Sequence, residues 1–332
     1  MADTEGDLED VIQFLERQIQ LNKPMKTLLK ILQIKCNITC SESKLRRFLR
    51  EKGIVRHDPN LRPKDVLLSI IGPNYTWHID GNDKLATWGF YTHGAVDGYS
   101  RKLLWLKVFV TNKDPWTTLK HFMESIEKIE GCPTRVRCDP GTENGLIGKC
   151  QMFLRRNGKD DLAGEDSYFE GSSVNNQPIE SFWRHYREEG FQFWIDQFKR
   201  LKLDGKWNPG NTLRQLCLLY VYMPLLQREA HDIQEDWNSH RIRFQKGKDR
   251  PCGVPNDLFD LPSMHGAQDM KHEVSHSDIS FLKEKFDLGQ DLDYLPQTFK
   301  EEADLFIKFT GRVLKLETAT EIYEALVLHF SQ

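Results

Sequence analysis

The sequence lacks several features that would direct a protein to a membrane or to an oxidising compartment. None of its apolar runs approaches the roughly 18 residues of a membrane-spanning helix. Its start, MADTEGDLED, lacks the basic and apolar regions of a secretory signal. The seven cysteines form no Cys-x-x-Cys pair and no disulfide framework, as expected in a reducing environment. We therefore expect a nuclear protein, with the cytoplasm as the alternative, and no membrane contact.

The sequence also lacks an overall positive charge, because 49 acidic residues outnumber 46 lysines and arginines. The charges are distributed unevenly. Residues 35–64 carry nine basic and three acidic side chains, whereas residues 266–332 carry thirteen acidic and seven basic ones. A local basic segment is typical of a nucleic-acid binder whose contacts are confined to one region. It also occurs on a merely polar surface.

What is present is the composition of ordinary globular domains, with 39% hydrophobic and 29% charged residues. At about 100–200 residues per domain, the 332 residues of the chain predict two to three domains. We divide the chain into a helical domain (1–58), a proline-containing linker (59–74), an α/β domain with a helical extension (75–262) and an acidic tail or small appended unit (263–332).

Residues 1–58 predict an all-α, helix-turn-helix-like DNA-binding domain. Two segments show the apolar spacing of helices, 7–22 and 25–34. Thr39 and Glu42 have the spacing of a capping box and predict the start of a third helix. On that helix Arg46, Arg47 and Arg50 lie off the apolar face, where a recognition helix contacts DNA. The alternative is that these arginines are simply solvated.

The pattern changes to strands after the linker. Three alternating runs at 75–80, 89–96 and 102–110 predict an antiparallel meander, followed by a helix from Pro115, a strand near 134–139 and mainly helices after Ser181. Asn211 or Thr212 would cap a long helix, which we expect Pro224 to kink or divide. Residues 250–262 are expected to form a loop.

Three acidic residues stand where isolated carboxylates are unexpected. Asp80 closes an apolar strand in TWHID, Asp139 follows a strand in RCDPGTEN, and Glu180 begins an aromatic-rich helix in NNQPIESFWRHYR. Carboxylates brought together from two strands and a helix form a site for Mg²⁺, which prefers hard oxygen ligands. A pair of such ions clamps the attacking and leaving oxygens of a phosphodiester.

Other acids compete for these roles. Asp83 lies in a turn, where aspartate is common for backbone reasons, and Asp97 is more typical of a turn cap. Glu143 follows Asp139 in the same loop as a supporting or DNA-contacting group. Glu170 ends a possible fifth strand and lacks the helix context of Glu180.

The helix of Glu180 carries candidate DNA contacts. Arg184 and Arg187 follow Glu180 by four and seven positions and share its face, where guanidinium groups bind backbone phosphates. The alternative for Arg184 is a salt bridge to Glu180. One turn earlier, Asn176 and Gln177 either position DNA or order the entry loop. His78 shares a strand face with Asp80, as an active-site group or as a satisfied buried histidine.

These sequence motifs, in this order, resemble the catalytic core of retroviral-type integrases and related DDE transposases. They are more similar still to the mobile-element-derived integrase core proteins of animal and fungal genomes. The resemblance covers about Pro73–Pro262 and rests on TWHIDGNDKL, GAVDGYSRKLLWL, GCPTRVRCDPGTEN, NNQPIESFWRHYR and WNSHRIR. Forty residues separate Asp139 from Glu180, close to the spacing of this family.

The resemblance implies an RNase H-like fold, a five-stranded mixed sheet flanked by helices. Asp80 would lie on the central strand, Asp139 at the end of the fourth strand, and Glu180 on the adjacent helix. Together they would hold two Mg²⁺ or Mn²⁺ ions for endonucleolytic cleavage and strand transfer of DNA in a homo-oligomer. The alternatives are a catalytically silent DNA-binding host protein and a nuclease that only hydrolyses.

The N-terminal region departs from that of retroviral integrases, which carry a zinc domain with two histidine and two cysteine ligands. Cys36 and Cys40 are present here, but His57 is the only histidine before the core. This departure favours a metal-free helical domain with two buried thiols.

Overall fold

The computed structural model describes residues 12, 15, 25–36, 38–51, 71–111, 114–171, 176–244, 251–288 and 293–331. The chain divides into two units, Met1–Leu68 and Ser69–Gln332. Among the described residues, no helix combines the length and the apolar character needed to cross a membrane.

The first unit contains helices α1 (Met25–Cys36) and α2 (Glu42–Glu51). They pack through buried leucines, which include Leu15 from the segment predicted as the first helix: Leu15, Leu28, Leu32, Leu45 and Leu49. Cys36 and Cys40 are half-buried against this cluster. The predicted capping box is wrong, because α2 begins at Glu42 and Ser41 Oγ accepts from Lys44 N at 3.2 Å. Most of the predicted linker lies outside the described residues.

The first part of the second unit alternates strands and helices. Its elements are β1 (Thr76–Asn82), β2 (Tyr91–Asp97), β3 (Leu103–Phe109), α3 (Pro115–Ile129), β4 (Gly131–Cys132), β5 (Arg135–Cys138), α4 (Gly145–Leu154), β6 (Tyr168–Glu170) and α5 (Gln177–Tyr186). Asp114 caps α3 by accepting from Trp116 N, and Pro115 follows at the first helical position, as the sequence predicts.

The second part is mainly helical. A π-helical turn, Arg187–Phe191, joins α5 to α6 (Gln192–Leu203). There follow α7 (Thr212–Ser239), α8 (Pro255–Asp260), β7 (His272–Glu273), α9 (His276–Lys285), α10 (Gln297–Thr310) and α11 (Ala319–His329). Asn211 caps α7 by accepting from Arg214 N at 2.9 Å, as predicted.

Five strands form one mixed sheet in the order β3-β2-β1-β5-β6. β1 is antiparallel to β2 and parallel to β5, and β6 continues the parallel half. β4 and β7 form a separate two-stranded pair. The predicted five-stranded mixed sheet flanked by helices is confirmed, in the arrangement expected of an RNase H-like fold.

Two hydrophobic cores lie on opposite faces of the sheet. Successive side chains of β1 point alternately to one face and to the other. Trp77 and Ile79 are fully buried in the core that α3 and α4 complete. His78 and Asp80 point to the other face, where α5, α6 and α7 build the larger core. The apolar side of β1 therefore anchors the strand while its polar side is presented to α5.

The free edge of β3 is covered by amide side chains of α7. Asn238 accepts from Leu103 N at 2.7 Å and donates back to Leu103 O at 3.0 Å. Gln234 donates to the same carbonyl, and Gln227 accepts from Val108 N at 2.9 Å. An edge strand normally exposes such groups to solvent or to another chain, and here one helix satisfies them.

Several local expectations need correction. Of the two outcomes expected at Pro224, a kink or a division of α7, the division does not occur, because α7 runs from Thr212 to Ser239 with the proline inside it. The loop expected at 250–262 contains the short helix α8, whose Leu258 packs with Tyr99 and Ala267. Residues 263–332, expected as an acidic tail or appended unit, contribute α9, α10 and α11. The last two helices bury Phe299, Ala303, Tyr323 and Leu326 in the core that α7 shares.

Burial of His93 predicts that the folded protein loses stability as the pH falls. It is 3% exposed on β2, Trp105 Nε1 donates to its Nδ1 at 3.1 Å, and its Nε2 lies 3.4 Å from Asn144 Oδ1. Burial lowers the pKa of His93 to about 4. Its contribution to stability is therefore present above the unfolded pKa of about 6.5 and is lost as the pH falls toward 4, about 2 kcal/mol between pH 7 and pH 5.

Denaturant unfolding at both pH values measures this effect. His93→Gln keeps polar groups at the position but cannot titrate, so its stability should fall by about 2 kcal/mol less over the same interval. Parallel loss of stability in the two proteins would contradict the assignment.

Candidate active site

The sheet and α5 bring the three predicted acids to one end of the sheet. Ile79 pairs with Cys138 across the parallel strands β1 and β5, so the following residues, Asp80 and Asp139, are neighbours. Glu180 lies in the first turn of α5. The negative charges of Asp139 and Glu180 both act on Asp80 and raise its pKa. The geometry therefore concentrates negative charge on the α5 side of β1.

Asp80 is held in an environment that resists its ionisation. Burial is the main cause that raises its pKa to about 7, and the charges of Asp139 and Glu180 add to it. A hydrogen bond from Trp183 acts in the opposite direction. Positive charge nearby, such as that of a bound cation, would therefore favour the deprotonated form of Asp80.

Trp183 is a site residue that the sequence did not reveal. Its indole Nε1 donates to Asp80 Oδ2 at 2.8 Å, and the ring is buried on α5. Opposite Asp80 on β2 lies Gly94, where a Cβ would stand 3.2 Å from the Trp183 ring. The glycine leaves room for the indole to reach the carboxylate. A buried indole N–H needs an acceptor, which was the available signal.

Asn176 links β1 to the start of α5. The fully buried amide donates from Nδ2 to Ile79 O at 3.1 Å, and its Oδ1 accepts from His78 Nδ1 at 2.8 Å. Its backbone carbonyl accepts from Glu180 N at 3.2 Å. Of the two roles predicted for Asn176, these contacts favour ordering the entry to α5 over touching DNA. Burial lowers the pKa of His78 to about 3, so it is a satisfied neutral histidine.

Asp139 combines half-burial with an unused acceptor. Its Oδ1 is buried and has no hydrogen-bond partner among the described residues. Burial raises its pKa, against a hydrogen bond from Asn176 and the charge of Arg137, which lower it. An unpartnered buried carboxylate oxygen is costly unless a ligand or ion completes it.

The donor atoms of the three acids suit a divalent metal, but their side chains are not arranged as a complete coordination sphere. In the part of the chain that the structure describes, no three histidine, cysteine, aspartate or glutamate side chains are close enough to hold a metal ion. The donor set nevertheless consists of hard carboxylate oxygens, which suit Mg²⁺ and Mn²⁺. The open acceptor of Asp139 and the raised pKa of Asp80 are both features that a cation would relieve.

Apart from the buried Asn176, the predicted DNA contacts differ in where the structure places their side chains. Arg184, Arg187 and Gln177 are exposed on or next to α5. Neither arginine forms an ion pair within the described residues, so the alternative of a salt bridge to Glu180 is not seen. On α2, Arg47 is exposed, while the side chains of Arg46 and Arg50 lie outside the described part of the structure.

The competing acids have other functions in the fold. Asp97 is fully buried and accepts from Asn74 N at 2.7 Å and from the backbone N–H and hydroxyl of Ser100, each at 2.8 Å. It is a turn cap, as expected. Glu170 accepts from the Tyr168 hydroxyl at 3.0 Å, and Glu143 accepts from Asn144 Nδ2 at 3.3 Å.

Comparison with known proteins agrees with this architecture. Residues 67–266, more than half of the chain, match the family described as integrase core domain. A comparison with curated proteins finds no match.

Proposed function

The chain belongs to the integrase core domain family, and on that premise we propose that it is a metal-dependent DNA strand transferase that cuts and joins DNA. The family points to polynucleotidyl transfer in general and usually uses divalent metals. The observation that carries the finer proposal is the pairing of Asp80, at a raised pKa, with the unpartnered Oδ1 of Asp139 at the end of the sheet. Glu180, in the first turn of α5, adds its negative charge at Asp80.

Each side chain has a distinct role in the proposal. Asp80, Asp139 and Glu180 would hold two Mg²⁺ or Mn²⁺ ions. When bound, these ions would supply Lewis-acid stabilisation of the attacking and leaving oxygens of a phosphodiester. Trp183 fixes the orientation of Asp80 through its indole N–H, and Asn176 fixes α5 against β1. Because two DNA ends are joined in concert by similar proteins, we propose a homo-oligomer that acts on nuclear DNA.

Arg184 and Arg187 are proposed to bind the DNA backbone beside the reacting phosphate. Neutralising both as Arg184→Ala with Arg187→Ala should make the slope of log affinity against log salt shallower by about 1.8, since each phosphate contact contributes about 0.9. Fluorescence anisotropy of labelled duplex across a salt series measures the slope. Glu188→Ala, at the exposed position that follows Arg187, serves as the control, and an unchanged slope in the arginine variant would contradict the contact.

The proposal is tested directly by incubating the purified full chain with end-labelled duplex DNA and Mn²⁺. Nicked and joined products are expected, and EDTA should abolish them. Products of hydrolysis without any joined DNA would reduce the protein to a nuclease. Tight, salt-sensitive binding without cleavage across many sequences would instead favour a catalytically silent DNA-binding protein.

A further inference from the structure

One continuous helical segment carries basic residues well beyond the three acids. The backbone at each junction of α5, the π-turn and α6 is right-handed helical, so the chain does not break between Gln177 and Leu203. In addition to Arg184 and Arg187, its far end presents Lys199 and Lys202, both exposed. At 1.5 Å per residue, Lys202 lies about 30 Å along the helix from Glu180.

The π-turn sets which way the far lysines face. Lys199 and Lys202 follow Glu180 by 19 and 22 residues. In an uninterrupted α-helix at about 100° per residue, Lys199 would be rotated about 100° from Glu180. A π-turn accommodates one extra residue, so these lysines occupy the directions of positions 18 and 21, about 0° and −60°. Arg184 and Arg187 lie at about 40° and −20° by the same count.

The four cations therefore share one stripe with Glu180, and no ion pair neutralises any of them within the described residues. Other charged residues near the stripe do form ion pairs. Lys206 pairs with Glu324, and His185 pairs with Glu189. Asp196, about 60° from Glu180 by the same count, accepts from Gln192 at 3.0 Å and bounds the stripe on one side.

We infer that this stripe is a binding track for the backbone of duplex DNA, extending from the acids to the end of α6. The inference rests on the proposed function and adds the path of the substrate. The arginine and lysine pairs are about 22 Å apart along the helix, more than the roughly 12 Å width of the major groove. This spacing allows the two pairs to contact two separate backbone segments of the same duplex.

The experiment compares Lys199→Ala with Lys202→Ala, combined in one protein, against Arg200→Ala. Arg200 is exposed in the same turn but points about 100° away from Glu180. With a 30-base-pair duplex, the double variant should show a salt slope shallower by about 1.8, whereas Arg200→Ala should leave it nearly unchanged. The charge-retaining pair Lys199→Arg with Lys202→Arg should restore the slope, and thermal unfolding of each variant confirms that it folds.

The outcomes separate the track from the proposed function. A wild-type protein that does not bind duplex DNA overturns both. Wild-type binding with the same slope in the lysine variant overturns the track alone, as does an equal change in Arg200→Ala. A loss that appears with single-stranded DNA and not with duplex would also overturn it, because the partner would then be a different nucleic acid.

Discussion

Replacing Glu180 with glutamine is expected to lower Mn²⁺-dependent nicking and joining by about 10³-fold or more, the scale on which loss of one member of a catalytic unit acts. Glutamine preserves the shape of the side chain and the packing of α5 but removes the negative charge that a divalent cation requires. Asp80→Asn and Asp139→Asn should do the same, and the asparagine introduced in place of Asp80 would still accept the indole N–H of Trp183. Single-turnover assays on labelled duplex DNA measure the loss.

The matched control is Glu188→Gln, which neutralises an exposed carboxylate two turns along the same helical segment. It should retain activity within about twofold, the scale of surface substitutions. All three acid variants should still bind duplex DNA, because their removal does not touch the basic stripe. Full activity in each of them would disprove the proposed site.

The second large effect concerns stability. Asp97→Ala should lower the free energy of unfolding by roughly 3–5 kcal/mol, since it strands several buried donors at about 1–3 kcal/mol each. The donors are the backbone N–H groups of Asn74, Tyr99 and Ser100 and the hydroxyl of Ser100. They hold the turn between β2 and β3 to the entry of β1. Chemical denaturation monitored by tryptophan fluorescence gives the value.

Asp161→Ala is the comparison for Asp97, because Asp161 is exposed and should cost less than about 0.5 kcal/mol. Activity assayed well below the unfolding temperature separates structure from chemistry. At that temperature Asp97→Ala should retain the metal dependence of the wild type. Loss of metal dependence in a folded Asp97→Ala protein would place this acid among the ligands instead.

Much of the sheet is predictable because local pattern and tertiary placement agree. In β1 the alternation of Trp77 and Ile79 with His78 and Asp80 encodes both the strand and its two faces, and the structure uses it in that way. The position of Glu180 at the start of a helix follows likewise from the sequence Gln-Pro that precedes it.

Other elements escape prediction because tertiary contacts override local rules. Gly145 and Gly148 make α4 a poor helix by propensity, yet a Cβ at Gly148 would stand 2.7 Å from the Tyr168 ring, so the glycine is needed for packing. Pro224 lies inside α7 between buried Met223 and Leu225, and burial of that face outweighs one lost backbone hydrogen bond.

The supporting parts of the site depend on distances across the fold. Asn176 and His78 are 98 residues apart, and Trp183 and Asp80 are 103 apart. Sequence order shows which carboxylates are candidates, but it does not show that an indole will occupy one oxygen of Asp80 or that Asn176 will be buried. Both facts require the packing of α5 against β1 and β2.

The covering of β3 by α7 has a consequence for how copies of the chain meet. Strand addition between molecules needs a row of open N–H and C=O groups, and along β3 those groups are already bound to Gln227, Gln234 and Asn238. A continuous sheet running from one molecule into the next is therefore closed off at this border. Any interface that copies of this chain form along β3 must therefore be built from side chains, and such an interface is open to change by point mutation without disturbing the strands that carry the acids.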